Sequence, residues 1–143
     1  SSKTCLYRFF SPNFVHTEKT MNICLLKSKI HRAAVTGASV DYEGSLTIDS
    51  ILAERVGLKS YEKILVGNLA NGERFETYCI YGAAGSGVIE LNGATAHLGK
   101  IGDRLTIMSY GYYSSVEAVG AKPAVLLLDE SNTIVRESGT VHC

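Results

Sequence analysis

The chain has 143 residues, 14 Lys plus Arg against 14 Asp plus Glu, and 45% hydrophobic residues, which is enough for one ordinary domain with a real core and too little for a multidomain machine. A formal charge of zero removes the basic excess that binding a phosphate backbone requires, and no run approaches the roughly 18 uninterrupted apolar residues of a membrane span. Neither nucleic acid nor a membrane is an expected partner.

Residues 1 to 20 hold short apolar clusters broken by Ser11 and Pro12, with no signal-peptide core of roughly 7 to 15 apolar residues. They read as a leader extension outside the fold. Periodic structure begins after Met21. Asn22 to Lys29, Ile30 to Thr36 and Ser45 to Ile48 are predicted as short strands, punctuated by Gly37 and Gly44. A helix of about two turns follows: Asp49 or Ser50 can cap it, Ile51, Leu52, Ala53 and Val56 form its apolar stripe, and Gly57 stops it.

Glu62 to Leu69 and Glu73 to Tyr81 read as a hairpin around Asn71-Gly72, a pair that supplies the positive φ angles of a type I′ turn. Alternation then puts Arg74, Glu76, Tyr78 and Ile80 on one face and Phe75, Thr77, Cys79 and Tyr81 on the other. Ala84 to Gly87 is a loop, Val88 to Leu91 a strand, Asn92 to His97 a tight turn or helical stub, and Arg104 to Tyr110 another alternating strand. A weak helix around Val116 to Val119 precedes the apolar strand Ala124 to Leu128. A turn at Asp129 to Asn132 leads into Thr133 to Arg136, and residues 137–143 read as a tail. Short strands spaced by turns, with little helix, predict a small closed β-barrel rather than a doubly wound α/β sheet.

Cys5, Cys24, Cys79 and Cys143 form no CxxC pair and have no His cluster beside them, so neither a zinc site nor a disulfide framework is indicated, and a reducing cytoplasm is the expected compartment. Cys24 and Cys79 lie in apolar, strand-like segments and are expected in the core. The four His, at 16, 31, 97 and 142, stand at no metal-ligand spacing, and GxSxG, HExxH, GxxxxGK[ST] and a strand-to-helix GxGxxG are all missing. Spacing alone leads no further than a β-barrel domain.

Five ordered blocks lead further: Ser28-Lys29-Ile30-His31-Arg32-Ala33, Asp41-Tyr42-Glu43-Gly44-Ser45, Asn71 to Tyr78, Leu91-Asn92-Gly93-Ala94-Thr95-Ala96-His97 and Ile101-Gly102-Asp103. In order and spacing this set resembles the pyruvoyl-dependent aspartate 1-decarboxylases, over about Met21 to Glu130. The resemblance implies a mainly β fold, a double-psi β-barrel with short helices over residues 21–136, and a cytoplasmic homotetramer with sites between subunits. It implies decarboxylation of L-aspartate to β-alanine and CO2 through a Schiff base, for pantothenate synthesis. The implied electron sink is a pyruvoyl group made from Ser45, with no PLP and no metal. A protein without a cofactor motif must make such a sink itself.

By the same resemblance, Ser45 Oγ attacks the Gly44 carbonyl and the chain divides between Gly44 and Ser45. Glycine at 44 is expected because a nucleophile approaching a strained turn leaves no room for a Cβ. Tyr78 is the implied proton donor, and Arg74 the fork for a substrate carboxylate. Lys29 and His31 are implied beside the substrate, and the loop Asn92, Gly93, Ala94 and Thr95 is implied to hold it through backbone N–H groups. Thr95 stands where the family pattern has alanine. Thr77 is implied in self-cleavage and substrate contact, yet ideal alternation turns it away from Arg74 and Tyr78, so a bulge or a neighbouring subunit must reconcile it. Two other readings stay open: an unprocessed, non-catalytic β-barrel binding or assembly module, and a hydrolase using Ser45 as an ordinary nucleophile. Whether an accessory protein speeds maturation is also left open.

Overall fold

The computed structural model describes residues 21–141. The expected leader and the last two residues lie outside them. Nine strands join in one mixed sheet in the order β2-β6-β3-β5-β4-β7-β1-β8-β9. They are β1 (Asn22–Ala34), β2 (Gly37–Ser39), β3 (Ser45–Asp49), β4 (Lys63–Asn68), β5 (Arg74–Gly82), β6 (Ile89–Asn92), β7 (Arg104–Ser114), β8 (Ala124–Leu128) and β9 (Ile134–Ser138). Two short helices, α1 (Ser50–Arg55) and α2 (Ser115–Ala118), and a 3-10 turn at Gly93–His97 complete the fold. The expectation of a mainly β chain with short helices holds. Among the described residues no helix is long and apolar enough to cross a membrane.

The core follows from alternation. Ile30, Leu46, Ile48, Ile64, Val66, Leu105, Ile107 and Leu126 are all buried on one side of the sheet, and the residues between them point outward. Helix α1 adds Leu52, Ala53 and the adjoining Val56 to the same core. Asp49 caps α1 by accepting the N–H of Ile51 at 2.9 Å. The same carboxylate accepts from Gly85 at 3.0 Å and Gly87 at 2.9 Å, which ties the Ala84 to Gly87 loop to the end of β3. Asn132 clamps the opposite corner, accepting from the N–H of Ala34 and donating to the carbonyls of Ala34 and Gly87.

Several local expectations change. The two strands predicted on either side of residue 29 are one strand, β1, with irregularities between Leu26 and Ser28 and between His31 and Ala33. Bulges let a long strand bend without ending it, so the break in alternation reads in sequence as a boundary. The hairpin turn is longer than type I′. Only Gly72 takes a positive φ, at 76°, the N–H of Gly72 reaches the carbonyl of Asn68, and the N–H of Asn68 pairs with the carbonyl of Glu73. Asn71 instead uses its side chain to accept from the N–H of Glu73, an Asx contact that competes with the turn type its dipeptide favours. Strand β7 continues to Ser114 because β1 pairs with it as far as Asn22. Cys24, expected in the core, is exposed in that extension, whereas Cys79 is buried.

Candidate active site

Ser45 opens β3 directly opposite Asn92, the last residue of β6. Leu46 and Ile48 go into the core, so Ser45 and Thr47 lie on the other face. There the Asn92 side-chain amide donates to Ser45 Oγ at 3.0 Å and to Thr47 Oγ1 at 2.8 Å. Ser45 Oγ in turn donates to the Glu43 carbonyl at 3.4 Å. The Thr95 hydroxyl donates to the Asn92 carbonyl at 2.8 Å and stands 3.4 Å from the carbonyl oxygen of Ser45. Ser45 is 0% exposed, although the turn before it, Asp41 to Gly44, lies at the surface.

The crowding expected at Gly44 is found instead at Gly93. A Cβ on Gly44 would meet nothing within 4 Å. A Cβ on Gly93 would stand 2.7 Å from the Gly44 Cα and 2.8 Å from its nitrogen, and Gly93 has a φ of +66°. Two constraints therefore require glycine at 93: the left-handed backbone and the turn packed on it. Ala94, next to it, is exposed.

Strand β5 changes partner at this point. Arg74 to Tyr78 pair with β4, and Cys79 to Gly82 pair with β3, beginning at Leu46 opposite Cys79. Ser45 and Tyr78 are thus the residues just before the first pair of that parallel ladder. The Tyr78 ring is half-buried and lies 6.4 Å from the ring of Tyr61. Pairing with β4 is unbroken from Arg74 to Tyr78, so Arg74 and Tyr78 share a face as expected. No bulge turns Thr77, which lies opposite the buried Ile64 and looks the other way.

Arg74 lies in a longer row. It pairs with Gly67, Gly67 with Thr106, and Thr106 with His31. Directly paired residues share a face, and adjacent strands are about 4.8 Å apart. This places Arg74 and His31 on one outward surface with no side chain at Gly67 to separate them. Lys29, two residues before His31, is on the same face and lines one depression with Arg74, Thr106 and Met108. The His31 ring stands 3.4 Å from the Thr106 hydroxyl. Its pKa is lowered, first by burial and then by the charges of Lys29, Arg32 and Arg104.

The expected residues therefore fall into two groups. Gly44, Ser45, Asn92, Gly93 and Thr95 meet beside Tyr78. Lys29, His31 and Arg74 meet on the outward face, and no hydrogen bond joins the two groups within the described chain. Thr47 was missed by the sequence reading, though alternation along β3 puts it on the face of Ser45. The neighbouring Cys79 thiol is no nucleophile, because burial and then the charge of Glu62 push its pKa up to about 12. Within the described residues of one chain Ser45 Oγ has the Asn92 amide and the Glu43 carbonyl as its partners.

Comparison with known proteins bears on the same residues. The family model described as aspartate decarboxylase matches residues 21–135, which include both groups. The chain is 52% identical over 116 residues to the aspartate 1-decarboxylase of Campylobacter jejuni subsp. doylei, covering 81% of this chain and 91% of that protein. It is 52% identical over 110 residues to the aspartate 1-decarboxylase of Desulfotalea psychrophila, covering 77% and 92% of the two chains. The corresponding figures for the aspartate 1-decarboxylase of Pseudomonas fluorescens are 46% over 121 residues, 85% and 96%. Likeness of this extent and coverage settles the lineage: the chain belongs to the aspartate decarboxylase family.

Proposed function

We propose that this chain is a pyruvoyl-dependent aspartate 1-decarboxylase, converting L-aspartate to β-alanine and CO2 in the cytoplasm for pantothenate synthesis. The observation that carries the reading is the set of groups around Ser45. Asn92 donates to its Oγ, the Thr95 hydroxyl stands at its carbonyl oxygen, and Gly93 admits the turn that ends in Gly44. The atoms from which a pyruvoyl group would be built already face hydrogen-bonding partners, so the residues present fit it.

Maturation in this reading begins with attack of Ser45 Oγ on the Gly44 carbonyl carbon, which moves the acyl group from nitrogen to oxygen. Elimination across Cα and Cβ of residue 45 then releases the Gly44 carboxyl group. One water hydrolyses the remaining enamine, with loss of ammonia, to leave the new terminus. Asn92 holds the oxygen that attacks and later departs; with no bulge to turn Thr77 toward Ser45 of its own chain, its part in the cleavage falls to the Thr77 of a neighbouring subunit. The break also frees the turn that ends over the buried residue 45.

A pyruvoyl group at position 45 would supply a carbonyl to capture the substrate amine and a conjugated path for the electrons left by CO2. The chain's own residues do the rest. Arg74 holds a substrate carboxylate as a two-pronged fork. Lys29 and His31 set a positive field for the diacid. The backbone of Asn92 to Thr95 borders the reacting carbon, and the Tyr78 hydroxyl returns a proton to it.

In this reading the fold is a double-psi barrel, and the separation of Ser45 from the Lys29, His31 and Arg74 surface supports its assembly as a homotetramer, in which one subunit's outward cations meet another's residue 45. The decarboxylase domain in this reading begins at residue 21 and runs past the expected boundary at 136 to the end of β9 at Ser138, which pairs with Val125. The test is conversion of aspartate by the purified chain, followed as β-alanine released. Wild type should form it, and Ser45→Ala should form none.

A further inference from the structure

Lys29 and His31 face a second depression, of about 190 Å³, which they line with Val125, Leu127, Arg136 and Ser138. The ladders explain why these six meet. His31 pairs with Leu127 and Leu127 with Arg136; Lys29 pairs with Val125 and Val125 with Ser138. The two rows are two residues apart on each strand, so all six side chains share the outward face. Arg136 thereby extends the row of Arg74 and His31 to a third basic residue.

The charge here is unbalanced. Glu137 alternates to the other side of β9 and pairs with Arg55 at 2.9 Å, and no Asp or Glu lines the depression. Neither Lys29 nor Arg136 has an ion pair among the described residues. The pKa of His31 is lowered first by its burial and then by the charges of Lys29, Arg32 and Arg104. A concave surface with a guanidinium fork, an ammonium and an imidazole is suited to a carboxylate.

We propose that Lys29, His31 and Arg136 form one carboxylate-binding subsite, in which Arg136 is a recognition residue for the acidic substrate. Only the identity of the natural ligand rests on the decarboxylase reading; the subsite itself rests on the register of β1, β8 and β9. Arg136 is exposed on the edge strand β9, so its replacement leaves the core intact.

The test uses the full chain with succinate, a dicarboxylate without an amine, followed by calorimetry and by NMR titration of the His31 ring. Succinate should raise the His31 pKa, because a bound anion favours the imidazolium form. Arg136→Gln should weaken succinate binding about fivefold or more, and Arg136→Lys should recover part of the loss. Binding by Arg136→Gln equal to wild type, or a His31 titration that succinate does not move, would overturn the subsite. If the chain fails to decarboxylate aspartate while succinate binding still depends on Arg136, the enzymatic reading falls and the subsite stands. If it decarboxylates aspartate with the same KM in Arg136→Gln and binds succinate unchanged, only the subsite falls.

Discussion

Gly93 and Gly44 pack so closely that a single Cβ on the first would lie 2.7 Å from the Cα of the second. The 3-10 turn and the turn that presents Gly44 to Ser45 are therefore one unit. Gly93→Ala would incur about 1–2 kcal/mol for its left-handed backbone, with the clash in addition, and would push Gly44 away from Ser45 Oγ. Its self-cleavage should be slower than wild type by at least an order of magnitude when followed by intact mass. Gly44→Ala, with open space around the new methyl group, should melt within about 0.5 kcal/mol of wild type. Normal cleavage in Gly93→Ala would show that this packing does not set the geometry of the break.

Tyr78 separates maturation from turnover. Its hydroxyl is assigned to the reaction and not to the break, so Tyr78→Phe should divide after Gly44 to the wild-type extent yet lose about 10²- to 10⁴-fold in kcat. Rapid-quench assay of β-alanine formation on fully cleaved protein measures this. Wild-type kcat in the variant would remove Tyr78 as the proton donor.

Arg74 is exposed, forms no ion pair among the described residues, and has a fork that lysine cannot reproduce. Arg74→Lys should raise KM for aspartate about tenfold, and Arg74→Ala should raise it further. Equal KM values for wild type and both variants would assign carboxylate binding elsewhere.

Acid should loosen the turn that ends in Asp103. The Asn68 side chain donates to Asp103 Oδ2 at 3.0 Å, and Lys100 adds its N–H at 3.0 Å and its ammonium at 3.1 Å. The hydrogen bond from Asn68, the largest cause, and those from Lys100 together outweigh burial and lower the carboxyl pKa. A carboxyl lowered in the folded state stabilises the fold above its unfolded value of about 3.9, and that contribution is lost as pH falls through the folded value. Melting temperature should therefore drop more steeply below about pH 4 in wild type than in Asp103→Asn. Parallel acid limbs for the two proteins would contradict this.

Much of the site was legible because it depends on period-two alternation. Arg74 with Tyr78, and Lys29 with His31, share faces as their spacing requires, and Asp49 caps α1 as its position suggests. What sequence could not give is register between distant strands. Nothing in the spacing of residues 31, 74 and 136 reveals that five ladder pairings align them, or that Asn92 and Ser45 are partners across an antiparallel pair. Steric need was misplaced for a related reason. Gly44 follows a Tyr-Glu pair and looks like the constrained glycine, but the constraint comes from the left-handed Gly93, which lies 49 positions along the chain and is brought against it by the β3–β6 pairing. The Asn71-Gly72 turn shows local propensity yielding to side-chain hydrogen bonds from Asn68 and Asn71.

The most direct measurement is an intact mass under denaturing conditions, followed by borohydride trapping in the presence of aspartate. A self-processed decarboxylase gives two fragments that meet between Gly44 and Ser45, the second beginning with a pyruvoyl group and gaining the mass of reduced substrate adduct, with neither change in Ser45→Ala. A single 15.4 kDa chain that stays whole through prolonged warming and traps no aspartate would contradict it.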